Sequence, residues 1–385
     1  MIKRDNQCRL PGLKGLRKLS IVLFACFILN LWGHDRAAAE KIRVRVGSMR
    51  GETVMRGQEL CVLDGLSVNR AKGRKISVAV CGPNLFMLKG SDKPLLGPIQ
   101  VFSQLGVVGW SSRLFRGTLE LSGNTGRDAG VVNVVDLEQY LAGLVNSEIS
   151  STWPMEAIKA QVVAARTYAL WKKRTSEKSY HLESTTEDQV YRGAAREDAV
   201  SVRAVRETRG IVMTCKNELI PAYYHSCCGG RTDSAKDIKD RDVPSTRSTV
   251  CKWCTGSPRY RWTYEISAKK TARLLSSWAD IGKTVTDMRP LRRTIGGRIV
   301  ELSIRGDEAA VTLSGEDLRR ALGFSNVKST RFEVSVAHGR ARFSGTGFGH
   351  GIGACQWGMR GMADAGYTWD RILKHYYKGV ELTRK

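Results

Sequence analysis

The strongest constraint in this sequence is a change of hydrophobic period at Asp136. Upstream, Ile42-Arg43-Val44-Arg45-Val46 alternates with period two, and Leu114-Phe115 and Thr118-Leu119-Glu120-Leu121 have strand character. Turns such as Gly123-Asn124-Thr125-Gly126 separate these runs. Downstream, Leu137, Tyr140, Leu141, Leu144 and Val145 recur at helical spacing. A polar break at Ser150-Ser151-Thr152-Trp153-Pro154 follows, with the proline where a first helical turn tolerates it. A longer helix is then predicted from Met155 to Lys173, burying Ile158, Val162, Ala165 and Ala169. Strands are expected at Gly210–Thr214, Leu219–Tyr224, Leu302–Arg305 and Ala309–Leu313, and helices at Thr271–Trp278 and Trp369–Tyr377. The fold class is α+β: mixed helices and antiparallel strands behind a β-rich N-terminal region. With 385 residues there is room for about two domains. The predicted division is a β-rich accessory region at 40–130 and a core at 131–385.

The first 39 residues read differently. Lys14, Arg17 and Lys18 precede an apolar run from Ile21 to Trp32, and Ala37-Ala38-Ala39 offers a small-residue cleavage site. That is the pattern of a secretory signal peptide. The run is shorter than the roughly 20 residues that cross a bilayer as a helix. An uncleaved anchor is the competing reading, and membrane contact is expected only through it. Leu23-Phe24-Ala25-Cys26 has the outline of a lipoprotein box, with too little apolar sequence ahead of it. Charge then acquires a meaning. Lys and Arg number 62 against 37 Asp and Glu, a net +25, which favours a polyanionic partner. Export argues against nucleic acid and points to the periplasm or cell envelope.

Eight cysteines lie beyond residue 39. Cys61 and Cys81 are the pair in the β-rich region, where a local disulfide is expected. His225-Ser226-Cys227-Cys228 and Cys251-Lys252-Trp253-Cys254 form an HxxC and a CxxC. Two closely spaced pairs suit a tetrahedral structural zinc with His225, Cys228, Cys251 and Cys254 as ligands and Cys227 as an alternate. Disulfides, or a redox CxxC, fit an oxidising compartment equally in kind.

Three further features carry candidate chemistry. Glu148 closes the first predicted helix, near Trp153. A carboxyl against an aromatic wall loses solvation, and its pKa rises toward that of a useful general acid. Lys159 and Arg166 are separated by about two helical turns, so both cations project from one helix face. Gln189 and Tyr191 stand at alternate positions suited to lining a saccharide cleft. Gly345 to Gly353, with His350 inside it and Gln356 just beyond, is a glycine-rich loop that permits close backbone approach. It lacks the lysine of a phosphate loop. Cys355 is read here as a lone thiol.

Taken in order, these blocks resemble the SpoIID/LytB family of bacterial envelope proteins. The resemblance runs through Val134–Leu141 to Glu148, then Trp153-Pro154, Glu156–Gln161 and Ala164–Ala169. It continues through Gln189–Gly193, Tyr224–Ser226 with Gly229–Thr232, and Gly349–Gly353 with Gln356-Trp357-Gly358. It covers about residues 114 to 380. Asn146 stands where the family often has proline, and Cys355 where it often has serine.

The resemblance implies a lytic transglycosylase acting on peptidoglycan glycan strands, in sporulation or cell division. The bond cut would join N-acetylmuramic acid to N-acetylglucosamine, leaving a 1,6-anhydro end. It implies Glu148 as the catalytic acid/base, with Lys159, Arg166 and Tyr260 at the substrate, and it strengthens the zinc reading. The expected substrate is glycan stripped of stem peptides. A conventional glycosidase would need a second carboxyl, for which Asp136, Glu156 and Asp188 are candidates. The alternative function is a non-catalytic wall-binding protein that stimulates an N-acetylmuramoyl-L-alanine amidase, which makes a cell-wall amidase a second expected partner.

Overall fold

The computed structural model describes residues 40–385, apart from Leu66, Ala71, Lys72, Asn124 and Thr125. The expected signal at residues 1–39 lies outside the described residues. Lys41–Lys385 form one compact unit.

Ten strands come first: β1 (Lys41–Arg50), β2 (Glu52–Arg56), β3 (Leu60–Asp64), β4 (Ser67–Arg70) and β5 (Lys75–Gly82), then β6 (Leu85–Leu88), β7 (Leu95–Leu96), β8 (Ile99–Trp110), β9 (Arg113–Gly123) and β10 (Asp128–Asp136). They form an antiparallel sheet in which β1, β10, β9 and β8 are successive neighbours. The alternation in β1 is the reason. Ile42, Val44 and Val46 face inward and are buried, while Arg43 and Arg45 face out to partners. Cys61 is buried and Cys81 exposed, and both are free thiols, so the expected disulfide is not formed.

Helix α1 (Leu137–Glu148) leaves β10 without a loop. Asp136 ends the strand and caps the helix, its carboxylate accepting from the Glu138 and Gln139 amides, a cap worth about 1 kcal/mol. Helix α2 (Met155–Thr175) follows, with Pro154 as its flanking N-cap residue and not inside its first turn. The predicted stripe of Ile158, Val162, Ala165 and Ala169 is buried. The chain returns to the large sheet through β11 (Leu182–Glu183), parallel to β1. One hydrophobic core therefore joins sheet residues such as Val44 and Leu119 to helix residues such as Leu144 and Ile158. The boundary expected near residue 130 falls inside β10.

Helix α3 (Ala199–Glu207) packs on α1 and α2, followed by β12 (Ile211–Cys215), β13 (Glu218–Leu219), β14 (Tyr224–His225) and the short α4 (Ala235–Lys239). A second core then forms from β15 (Arg261–Ser267), α5 (Ala268–Leu275), β16 (Val285–Arg293), β17 (Ile299–Gly306), β18 (Ala310–Ser314), α6 (Gly315–Leu322), β19 (Phe332–Ala337) and β20 (Arg340–Thr346). These make two three-stranded antiparallel sheets around Trp262, Leu302 and Phe343. The chain rejoins the first core at β21 (Ala354–Cys355), then α7 (Gln356–Asp364), α8 (Trp369–Tyr376) and β22 (Glu381–Arg384). Strand β21 lies parallel to β14, pairing Tyr224 with Ala354 and His225 with Cys355. This short pairing brings residues about 130 positions apart in sequence to the end of α1.

Candidate active site and cysteine cluster

Glu148 is the last residue of α1, and the chain turns to extended backbone at Ile149. It borders a pocket of about 350 Å³. Asn146 to Ser150 form one side, Trp153 and Trp357 another, and Ser226 and Gln356 complete the lining. The indoles of Trp153 and Trp357 meet edge to face, with ring centres 5.2 Å apart. The aromatic neighbour expected for Glu148 is therefore present, and a second one joins it from α7.

The carboxyl of Glu148 is held from three directions. The Val190 amide donates to Oε1 at 2.7 Å, Gln356 Nε2 approaches Oε2 at 3.4 Å, and the Tyr224 hydroxyl donates as well. These donors favour the charged form, but burial outweighs them and pushes the pKa of Glu148 up to about 7. The negative end of α1, with no basic residue in its last turn, acts in the same direction. The result is an acid that is half-protonated near neutral pH. No other carboxylate lines the pocket among the described residues.

The three alternative carboxyls are engaged elsewhere. Asp136 caps α1. Glu156 accepts from Lys159 at 3.0 Å and from the Trp369 amide at 2.9 Å. Asp188 accepts from Tyr168, Lys172 and the Glu183 amide.

Most residues expected to touch substrate are instead engaged within the protein, and two of them frame Glu148. Gln189 is fully buried; it accepts from Tyr140 at 2.9 Å and donates to the Tyr224 hydroxyl at 3.0 Å. A relay thus runs from Tyr140 through Gln189 and Tyr224 to Glu148. Tyr191 is buried against Tyr140 and donates to Asn133 at 3.1 Å. Between them, the Val190 amide reaches the acid; a backbone donor leaves no side-chain signal in the sequence. Lys159 is held by Glu156 and by Glu207 at 2.7 Å. Arg166 is fully buried, binding Glu138 through two nitrogens at 2.9 and 2.6 Å and tying α2 to α1. Neither cation lines the pocket. Tyr260 lies near Gly230, with its backbone carbonyl bonded to the Gly347 amide. Gln356 alone of the expected substrate contacts borders the pocket beside Glu148.

His350 is a packing residue in this geometry. Its Nδ1 accepts from the Ile352 amide at 3.0 Å, so Nε2 carries the proton and donates to the Tyr224 carbonyl at 3.0 Å. Burial pushes its pKa well down, so the ring stays neutral. Gly351 beside it has φ of +85°, and a Cβ there would lie 2.0 Å from Arg298. Buried Arg298 pairs with buried Asp233 at 3.1 Å and donates to the Cys228 carbonyl at 2.9 Å. It thereby fastens the turn between β16 and β17 onto the glycine-rich loop.

The cysteines gather into one buried group, with a different fourth member from the one expected. Cys228, Cys251, Cys254 and Cys355 place their sulfurs within 4.8 Å of one another. His225 is not among them. Its Nδ1 faces the Ile352 carbonyl at 3.1 Å, and its Nε2 is buried without a hydrogen-bond partner. The reason is the β14–β21 pairing, which lays Cys355 beside His225 and delivers a sulfur from outside the HxxC and CxxC pairs. Cys227 is not one of the four, although its thiol, directed to the Cys254 carbonyl, borders the group at Cys254 and Cys355. All are free thiols, and Cys228 and Cys254 are 3.5 Å apart, near the ~3.8 Å edge of a tetrahedron with 2.3 Å zinc–sulfur arms. Four buried thiols with no water-facing position suit a closed structural zinc site. Gly358 permits the docking of α7 on this group, since a Cβ there would meet Cys251 Sγ at 2.6 Å and the Tyr376 hydroxyl at 1.9 Å.

Comparison with known proteins places the chain in a family. A family model described as Stage II sporulation protein matches residues 125–215. The chain is 30% identical over 268 residues to Stage II sporulation protein D of Bacillus subtilis, covering 66% of this chain and 76% of that one. The chain belongs to the SpoIID/LytB family. It is also 32% identical over 254 residues to an uncharacterized protein of Brachyspira hyodysenteriae, covering 66% of this chain and 68% of the relative. A third relative, the amidase enhancer of Bacillus subtilis, is 30% identical over 291 residues, covering 63% of this chain but 40% of the enhancer. A second model, described as a domain of unknown function, matches residues 252–353. That range contains the whole second core of this SpoIID-family chain.

Two positions of the candidate site are not legible from residue spacing. Cys355 stands alone in sequence, about a hundred residues from the other cysteines of the group, and its place beside candidate family-block residues is the one signal that points to it. Trp357 is part of a recognisable block, but nothing local shows that it faces Trp153.

Proposed function

We propose that this protein is an exported lytic transglycosylase that cleaves peptidoglycan glycan strands between N-acetylmuramic acid and N-acetylglucosamine. The observation that carries the reading is Glu148: a carboxyl with a pKa of about 7 beside a pocket with no second carboxylate among the described residues. A protonated Glu148 gives its proton to the departing glycosidic oxygen as the C1–O bond breaks. The carboxylate left behind takes the proton of the muramoyl 6-hydroxyl while O6 bonds to C1. This closes the 1,6-anhydro ring, returns Glu148 to its starting state and consumes no water. One residue serves as acid and then base, so the second carboxyl of a hydrolytic glycosidase is not needed.

In this reading residues 1–39 direct export, and the β-rich region shares its hydrophobic core with the helices that carry Glu148. Cys228, Cys251, Cys254 and Cys355 would hold one zinc ion, which supplies a structural crosslink. Cys355 adjoins Gln356, and the Trp357 amide donates to the Ser226 carbonyl at 3.1 Å. A fixed cluster therefore keeps α7 and its pocket residues in register with β14.

The deciding experiment is digestion of purified, peptide-free glycan strands by the mature protein and by Glu148→Gln, with products read by mass spectrometry. Anhydro-muramoyl ends from the wild type alone support the transglycosylase. The similarity to the amidase enhancer favours a second reading, a wall-binding protein that stimulates an amidase. Intact strands with both folded proteins, together with strand binding and a faster partner amidase, would select that one.

A further inference from the structure

The pocket beside Glu148 is walled by aromatic side chains, but the cations expected to serve it are elsewhere. Lys159 is shared by two glutamates and Arg166 is buried on Glu138. Arg360 is not itself in the lining, but it rests on the two indoles that are. It lies on α7, one turn beyond Gln356, so the two project from the same face. Gln356 reaches Glu148, and one turn advances about 5.4 Å along the axis, comparable with one sugar ring. The guanidinium of Arg360 lies over both pocket indoles, 5.5 Å from the centre of Trp153 and 4.9 Å from that of Trp357. Stacking of this kind orients the planar group while leaving its edge N–H donors free. Among the described residues its ion-pair partner is weakly held: Asp364 is 3.7 Å away, and both side chains are well exposed. Such a pair contributes little and exchanges readily for a better anion.

We propose that Arg360, braced on Trp153 and Trp357, binds the free lactyl carboxylate of N-acetylmuramic acid and so selects glycan strands that have lost their stem peptides. The inference rests on the transglycosylase reading for the identity of the strand. The chemistry is a difference in charge. A muramoyl residue carrying a peptide has its lactyl carboxyl tied up as a neutral amide. Peptide removal exposes a carboxylate, which a planar guanidinium pairs through two parallel hydrogen bonds. The apolar faces of the indoles offer a stacking surface to the adjoining sugar ring, so carboxylate and ring are recognised together.

The test uses peptide-free strands in two forms, untreated and with their lactyl carboxylates converted to N-methylamides by carbodiimide coupling. Equilibrium binding and the rate of anhydro-end formation are measured for the full mature chain, Arg360→Gln and Arg360→Lys. Wild type should favour the carboxylate strands by about tenfold or more, the range of a charge-assisted hydrogen bond. Arg360→Gln should bind both forms alike, and Arg360→Lys should fall between. A wild type without preference, or an Arg360→Gln that keeps it, overturns the proposal. Should Arg360→Gln not fold, Arg360→Lys carries the test, and an undiminished preference overturns it. Binding separates this inference from the one beneath it: absence of anhydro ends from wild type removes the transglycosylase, while a binding preference lost in Arg360→Gln still supports the carboxylate site.

Discussion

The Val190 amide donates to Glu148 Oε1 at 2.7 Å, so the acid is held by backbone from a segment more than forty residues downstream. That bond favours the carboxylate, yet burial prevails and the pKa stands at about 7. Position and acidity of the same carboxyl are thus set by opposing effects.

The first prediction concerns pH and rate. Protonation of the leaving oxygen needs the neutral acid, so kcat/KM should be flat below and fall tenfold per pH unit above a pKa of about 7. Rates on peptide-free strands from pH 3.5 to 9 check this. A descending limb near pH 4.5 would show that the acid is not shifted, and a limb near 7 that persists in Glu148→Gln would show that Glu148 is not the acid.

The same shift has a consequence for stability. The folded pKa of Glu148 lies above its unfolded value of 4.5. The native state therefore holds its proton more tightly, and stability present below pH 4.5 is lost as pH rises through 7. Glu148→Gln removes that loss. It should match wild type at pH 4 and exceed it by ~1–3 kcal/mol at pH 8, the lower figure reflecting water access from the pocket. Urea unfolding at the two pH values measures the difference.

Metal binding should follow the four sulfurs and not the histidine. Serine at Cys228, Cys251, Cys254 or Cys355 should abolish the bound zinc and lower Tm by on the order of 5 °C, equivalent to a few kcal/mol. Cys227→Ser and His225→Gln should retain one zinc per chain. Elemental analysis with thermal melts in the presence and absence of a chelator separates these outcomes, and a wild type without metal would leave the cluster as plain thiols.

Arg166 should act on stability and not on substrate affinity. Arg166→Ala leaves Glu138 without its buried partner, at a cost of roughly 3–5 kcal/mol. Any folded fraction at low temperature should bind strands with wild-type affinity. A raised KM in a protein of normal stability would return Arg166 to the substrate groove.

Much of the framework could be read directly from residue order. The change of period at Asp136 marks the end of β10 and the start of α1. Glu148, Trp153 and Gln356, which border one pocket, each belong to a block with its own local pattern. The second core between Cys254 and Gly345 was only partly legible. Its strands at Ile299–Gly306 and Ala310–Ser314 showed, but their closure around Trp262 and Phe343 did not.

The roles of Gln189, Tyr191, Lys159 and Arg166 show where such reading stops. Polar residues at regular spacing are compatible with a cleft or with a buried network, and only the neighbours brought by folding decide between them. Glu138 and Glu207 claim the two cations, and Tyr140 with Tyr224 claims Gln189. Cys355 joined the thiol group through a two-residue pairing of β21 with β14. The sequence by itself determined the order of elements, the acid that ends α1 and the clustering of cysteines, because these follow from local spacing. Tertiary structure alone decided the pKa of Glu148, the fourth sulfur and the placement of Arg360 over two indoles, because burial and long-range pairing depend on what the rest of the chain supplies.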